Sequence, residues 1–254
     1  MLHPGLRLAL AALFALSCPA AAGEAFFEDF ARLDEGRWMV SDGWTNGDWM
    51  NCGWSREAVA VADGILTLRI EQSHDTAGAI LCGEIQSLGQ FGHGTYEVRM
   101  RSPAGSGLNA AFFTYIGPVH GRAHHEVDVE ILLRDPSRAT FNTFVEGREL
   151  NGGRAALAGP GDEGFHTYAF TWTPEGITWF VDGVAAHRTA PGTALPEAPQ
   201  KIYASLWSSD SFPDWMGPFD ASALPAVLDI DWIAFTPLGQ SCAFPASILC
   251  GAGR

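Results

Sequence analysis

Short apolar or alternating runs recur along this chain between Gly, Pro and Asp residues, and none extends into a long amphipathic helix. The clearest pair, residues 167–172 and 177–181, flanks Pro174-Glu175-Gly176, and Asp182-Gly183 then turns the chain again. Two β-prone runs joined by a short turn that contains Gly are typical of a β-hairpin. Many such runs at short spacing predict an all-β chain, folded as an antiparallel sandwich or jelly roll.

Residues 1–22 have the pattern of a secretory signal peptide that is removed from the mature chain. A basic start is followed by an apolar run, residues 8–16, which is too short to cross a bilayer. Ala20-Ala21-Ala22 then offers small residues for cleavage. We therefore expect a secreted or periplasmic protein. A lipoprotein acylated at Cys18 is less favoured, because a proline follows that cysteine.

The rest of the chain shows no composition break, repeat or low-complexity tract. All-β sandwiches often reach this length as one domain. We expect one domain over residues 23–240 and a C-terminal tail over residues 241–254.

The charge balance excludes several partners. The chain has 15 Lys and Arg against 29 Asp and Glu, a net charge of -14, and its only lysine is Lys201. Affinity for nucleic acid or anionic lipid depends on clustered basic residues, so neither is an expected partner. We expect a monomer that binds a polysaccharide. An acidic polysaccharide is compatible with this composition, with Arg, His and aromatic stacking as the expected contacts.

Four cysteines remain after export, and an even number in an oxidising compartment suggests disulfides. Three pairings are possible. Loop length favours Cys242 with Cys250 as a clip of the tail, which leaves Cys52 with Cys82. A zinc site is the competing use, but the chain has no C-x2-C pair.

Three acids recur with period two in the segment His124 to Leu132. On a strand, Glu126, Asp128 and Glu130 share one face, while the aliphatic residues between them face the core. Three like charges in a row are costly for a strand with only a structural role, although a solvated edge strand could tolerate them. The pattern therefore favours a functional cluster of carboxyl groups.

Glycoside hydrolysis uses such carboxyl groups, one ionised as a nucleophile and one protonated as an acid. Crowding of the three carboxyl groups can keep one protonated while another is ionised, because like charges raise one another's pKa. Four residues of flat strand span about 13 Å, whereas a retaining mechanism needs carboxyl groups about 5–5.5 Å apart. The strand is therefore expected to curve, with both Glu side chains leaning over Asp128.

The E-x-D-x-E motif resembles the signature of glycoside hydrolase family 16, and the resemblance to bacterial lichenases (β-1,3-1,4-glucanases) spans residues 26–236. The segments that match in order and spacing include Asn51-Cys52-Gly53-Trp54, Cys82-Gly83-Glu84, Phe112 to Pro118, Trp179 to Gly183 and Asp214-Trp215-Met216-Gly217. Residues 106–113 and 82–86 are similar to the rhizobial endoglycanases that trim succinoglycan.

This resemblance implies a curved jelly roll of the concanavalin A-like type, with an open cleft and retaining hydrolysis that needs no cofactor. By position, Glu126 corresponds to the nucleophile, Glu130 to the general acid/base and Asp128 to a helper. Sugar contacts of the family match Asn46, Glu84 and Asn142, and Trp207 matches a stacking platform.

Two structural features are also implied by the resemblance. The disulfide of lichenases corresponds to Cys52 with Cys82. A structural calcium ion would be held by the Asp231 carboxylate and by the carbonyls of Asp29 and Gly64.

The chain departs from lichenases on the side where sugar is expected to bind. Lichenases carry Trp-Asp at His124-His125, Arg at Gln86, Tyr at Phe144 and Asn at Ser205. We therefore include Gln86, His124, Phe144 and Ser205 among the candidate substrate contacts. The expected substrate is a β-1,3-1,4-type glucan or a glucose-rich bacterial exopolysaccharide such as succinoglycan.

Two other functions compete with endo-β-glucanase activity. A non-catalytic sugar-binding jelly roll needs no acid trio, so Glu126, Asp128 and Glu130 favour an enzyme. A β-glucan transglycosylase would use the same acids with a sugar as acceptor. Trp residues are further candidates for sugar stacking, and Trp172 and Trp179 on the predicted hairpin are expected to divide between core and cleft.

Overall fold

The structure, a computed structural model, describes residues 23–251, so the predicted signal peptide with Cys18 lies outside the described residues, as do residues 252–254. The regular structure of the described chain is almost all β, with one short α-helix, α1, at Pro213–Met216. Four 3-10 helices of three residues each lie at Arg56–Ala58, Pro118–His120, Ala221–Ala223 and Ile248–Cys250. Its sixteen strands are β1 Phe26–Glu28, β2 Trp38–Val40, β3 Gly53–Trp54, β4 Val59–Ala62, β5 Ile65–Gln72, β6 Ile80–Ser87, β7 Gly94–Arg101, β8 Leu108–Ile116, β9 His125–Leu132, β10 Arg138–Val145, β11 Arg148–Ala156, β12 His166–Thr173, β13 Gly176–Val181, β14 Val184–Arg188, β15 Lys201–Ser208 and β16 Ala226–Pro237.

The strands form two layers, which confirms the predicted curved antiparallel sandwich. The inner sheet has the order β11-β10-β9-β8-β15-β6, and the outer sheet has the order β5-β16-β7-β12-β13-β14. Strand β6 belongs to both, because Ile80–Cys82 pairs with β5 while residues 83–86 pair with β15. Among the described strands only β3 runs parallel to its partner. The helices within residues 23–251 all fall short of the length and hydropathy that a membrane-spanning helix needs.

Alternation along the inner sheet separates a core face from a cleft face. Val127, Val129 and Ile131 of β9 are fully buried between the sheets. The outer sheet contributes large aromatic residues to the same core, where the rings of Tyr96 and Phe170 stack at 4.8 Å. The free energy of burying these apolar surfaces holds the inner sheet in place while its other face stays open.

The predicted hairpin is confirmed as β12 and β13, but the expected division of its two tryptophans is wrong. Trp172 and Trp179 are both fully buried in the core. Their positions follow from register, because Trp179 pairs with Phe170, which lies two residues from Trp172 on the same face. Asp182 and Gly183 form the next turn with φ of 50° and 78°.

Both expected disulfides are present, Cys52–Cys82 and Cys242–Cys250. The second closes a tail that packs on the outer sheet. There, Glu97 of β7 is fully buried and accepts hydrogen bonds from Ser247 Oγ at 2.6 Å and from the Ile248 amide at 2.8 Å. These bonds partly offset burial, which raises the pKa of the Glu97 carboxyl group.

Candidate active site

The open face of the inner sheet forms a cleft of about 1460 Å³, built from alternate side chains of its strands. Strands β6, β8, β9 and β15 present every second residue to it, and β10 presents Thr140, Asn142 and Phe144 together with part of Phe141. Its lining includes all of the predicted catalytic and sugar-binding residues: Asn46, Glu84, Gln86, His124, Glu126, Asp128, Glu130, Asn142, Phe144, Ser205 and Trp207. Lichenases carry a different residue at five of the positions discussed above. Of these five, only His125 does not line the cleft in the described part of the chain.

Strand β9 holds the three acids in one unbroken ladder. Its pairing with β8 and β10 shows no register shift across residues 126–130. The Trp179 indole, reaching from the outer sheet, donates a hydrogen bond to the Asp128 carbonyl at 2.9 Å. The period-two spacing of Glu126, Asp128 and Glu130 is therefore kept, and all three side chains face the cleft.

Glu126 is held by a histidine. Its Oε2 lies 2.6 Å from His124 Nε2. The His124 ring stacks on Phe144, with centroids 4.8 Å apart, and meets Tyr115 edge to face at 5.2 Å. The Glu126 side chain keeps 19 % of its surface exposed. The carboxylate is thus fixed in direction and still accessible to a ligand in the cleft.

Glu130 and Asp128 sit in a setting that favours their protonated forms. Burial, with the negative charges of Glu126 and Glu149, raises the pKa of Glu130 to about 8, against a hydrogen bond from Asn109 Nδ2 at 2.8 Å. Burial raises the pKa of Asp128 well above its usual range, and the charges of Glu126 and Glu130 add to this effect. At neutral pH this arrangement keeps a proton on Glu130, as a general acid requires.

Glu84 is a fourth buried acid in the cleft. Burial raises its pKa to about 8, and the charge of Glu126 adds to the rise. Ser41 Oγ donates to Glu84 Oε1 at 2.5 Å and accepts from Gln86 Nε2 at 3.2 Å. Protonated Glu84 and Gln86 therefore form a polar floor suited to hydrogen bonding with sugar hydroxyl groups.

Aromatic rings form one end of the cleft. Trp207 meets Trp49 edge to face at 5.1 Å and lies 6.2 Å from Trp215. Nearby, the Trp54 indole donates to Asn46 Oδ1 at 3.0 Å, which orients that amide. Aromatic faces suit the apolar faces of pyranose rings, because both surfaces are flat and lose water on contact.

Sequence reasoning missed several residues that complete the site: Ser41, Asn109, Tyr115, His120, Lys201 and Tyr203. The period of two along β15 contains a signal for two of them, because Lys201 and Tyr203 precede Ser205 and Trp207 at the same spacing. Lys201 shows that the cleft carries a lysine after all, which the expectation of Arg, His and stacking contacts had left out.

The predicted calcium ligands lie away from the cleft and fit the ion only in part. A Cβ added at Gly64 would lie 3.7 Å from the Asp29 carbonyl oxygen, so these two positions are adjacent. However, Asp231 forms an ion pair with Arg99. Calcium prefers six to eight oxygen ligands with carboxylates among them, and here the one predicted carboxylate already has a cationic partner.

Known proteins are similar to this chain in sequence and in fold. The endo-1,3-1,4-beta-glycanase ExoK of Rhizobium meliloti is 41% identical over 91% of this chain and 86% of its own. The beta-glucanase of Bacillus amyloliquefaciens is 34% identical over 86% of this chain and 90% of its own. The solved beta-glucanase of Bacillus licheniformis superposes with a TM-score of 0.80 at 32% identity, over 84% of this chain and 98% of that one.

The profile of glycosyl hydrolases family 16 matches residues 46–234, which include the whole cleft-facing stretch of β9. The chain therefore belongs to glycoside hydrolase family 16.

Proposed function

We propose that this enzyme is a retaining endo-β-glucanase that cleaves internal bonds of a β-1,3-1,4-type glucan or of a glucose-rich bacterial exopolysaccharide such as succinoglycan. The observation that carries the proposal is the β9 acid ladder in an open cleft, where Glu126 is hydrogen-bonded to His124 and Glu130 favours its protonated form. An open cleft admits a long chain, whereas exo-acting enzymes need a closed end. The relatives named above support the choice of a β-glucan.

The chemistry follows from these positions in two steps. Glu126 attacks the anomeric carbon, and Glu130 gives its proton to the departing glycosidic oxygen. Asp128, kept neutral, donates a hydrogen bond to Glu126 and orients it. Glu130, now ionised, takes a proton from water, which displaces Glu126 and releases a sugar of the original configuration.

Product analysis on lichenan, laminarin, xyloglucan and succinoglycan tests the proposal. We expect internal cleavage of at least one of them, with NMR showing the β-anomer first. Failure to release products from all four would overturn it, and α-anomers appearing first would overturn retention. Transfer to added oligosaccharide acceptors in place of water would indicate a transglycosylase.

The kcat of the enzyme is expected to fall as pH rises through about 8. Activity needs the Glu130 proton, so it is full below the pKa of this group and is lost above it. Asn109→Ala removes a hydrogen bond that lowers this pKa, so the alkaline limb of kcat should move to higher pH. Glu84→Gln is the matched control, because Glu84 also has a pKa of about 8. If Glu84→Gln loses the alkaline limb, the limb reports the proton on Glu84, and its assignment to Glu130 is wrong.

Calcium, if bound by Asp29, Gly64 and Asp231, is expected to bind weakly, because Arg99 competes for the Asp231 carboxylate. Thermal melts in EDTA and in excess calcium measure this, since stabilisation by a ligand grows with its concentration relative to Kd. We expect EDTA to change Tm by less than about 2 °C. A fall beyond about 4 °C would indicate a tightly held ion.

We also propose that residues 1–22 direct export and that the mature enzyme begins at residue 23. A substrate polymer too large to enter a cell supports an enzyme that works outside the cytoplasm. N-terminal sequencing of protein from the periplasm and the culture fluid checks this. A start at residue 1 would contradict export, and lipid on Cys18 would contradict release.

A further inference from the structure

Lys201 lines the cleft and forms no ion pair within the described residues. It begins β15, and its Nζ donates a hydrogen bond to Gln86 Oε1 at 2.8 Å. Within residues 23–251, no carboxylate oxygen lies within 4.0 Å of this ammonium group. The chain has 29 acidic residues, so a lysine with only a structural role could readily form an ion pair.

The groups around Lys201 are neutral hydrogen-bonding groups. Tyr203 Oη lies 3.4 Å from Gln86 Oε1, and His120 Nε2 lies 3.5 Å from Tyr203 Oη. The nearby acid is Glu84, whose raised pKa of about 8 keeps it protonated at neutral pH. Partial burial lowers the pKa of Lys201 itself, and the nearby Glu84 carboxyl group offsets this effect only in part.

The position of Lys201 places it close to the reaction. The ladders of the inner sheet set Lys201 opposite Tyr115, and Tyr115 opposite Glu126. Two strand spacings amount to about 10 Å. A group carried by a sugar near the cleaved bond can therefore reach Lys201.

We propose that Lys201, Gln86 and Tyr203 form a subsite for a carboxylate substituent on the glucan chain, so that the enzyme prefers a carboxylated β-glucan to the neutral polymer. This inference rests on the proposed function and adds a substrate class to it. An ammonium group has three donors and Gln86 uses one, so two remain for the ligand. Charge-assisted hydrogen bonds of this kind are stronger than neutral ones.

The overall charge of -14 does not prevent such recognition. At physiological salt, charges farther apart than about 8 Å are largely screened. A direct contact with Lys201 lies well inside that distance. Selection at this subsite therefore depends on the Lys201 contact, and it should weaken as salt is added.

The test compares one neutral mixed-linkage β-glucan with a partly carboxymethylated sample of the same batch. The readout is the ratio of kcat/KM on the carboxymethylated polymer to kcat/KM on the neutral one. We expect Lys201→Met to lower this ratio about tenfold, and Lys201→Arg to keep most of it. Arg188→Gln, which removes an exposed positive charge on β14, is the control for general electrostatics and should leave the ratio unchanged.

Binding of both polymers in a Glu126→Gln background gives the same comparison without turnover. Equal ratios for wild type and Lys201→Met, or an equal fall with Arg188→Gln, would overturn the carboxylate subsite. The same loss on both polymers would assign Lys201 to positioning Gln86 and would also overturn it. Failure of the wild type to cleave either polymer would instead overturn the proposed glucanase function.

Discussion

Replacing Glu126 with Gln is expected to reduce turnover of a β-glucan at least a thousandfold, or about 4 kcal/mol of transition-state stabilisation. The amide cannot form the glycosyl-enzyme, and neither neighbouring acid can replace Glu126. Asp128 is buried and holds its proton, while Glu130 is needed as the acid. The measurement is kcat on the polymer with the best activity in the panel.

The same variant should fold normally. Glu126 is partly exposed, and its carboxylate is hydrogen-bonded to His124 at the surface of the cleft and not packed in the core. Circular dichroism and Tm provide this check. His124→Ala is the matched comparison, because it removes the partner and leaves the nucleophile, so we expect a smaller loss. A Glu126→Gln enzyme that keeps more than a few per cent of turnover would contradict the nucleophile assignment.

The acid ladder could be predicted from sequence because side-chain alternation is a local property of a strand. Glu126, Asp128 and Glu130 share a face whatever strands lie beside β9, provided that no bulge interrupts it, and none does. The hairpin of β12 and β13 is equally local, since its turn lies between its strands. The resemblance to lichenases then placed Asn46, Glu84 and Trp207 in the same cleft.

Contacts between distant strands could not be derived in this way. Lys201 and Gln86 are 115 residues apart and meet only because β15 pairs with β6 in the inner sheet. Ser41 reaches Glu84 for a similar reason, since β2 pairs with β6. The raised pKa values also depend on burial by the whole fold. Sequence shows which groups can titrate, whereas the fold decides which of them stay protonated.

Glu130→Ala is expected to separate the two chemical steps. A sugar alkoxide leaves poorly without a proton, so hydrolysis of the polymer should fall at least a thousandfold. An aryl glycoside with an acidic phenol needs no such proton, so its first step should remain fast. Glycosyl-enzyme then accumulates, because no base is left to activate water, and a burst of phenol followed by slow turnover measures this.

Azide distinguishes the roles of the two Glu residues through stereochemistry. In Glu130→Ala, azide replaces water and attacks the glycosyl-enzyme from the face opposite Glu126, giving a β-glycosyl azide. In Glu126→Ala, azide occupies the space of the lost carboxylate and attacks from that side, giving the α-product. Glu84→Gln removes a protonated acid that takes part in neither step, so this variant should form neither glycosyl azide. The same anomer from both Ala variants would contradict the assignment of separate roles, because one face of the sugar would then have served for both steps.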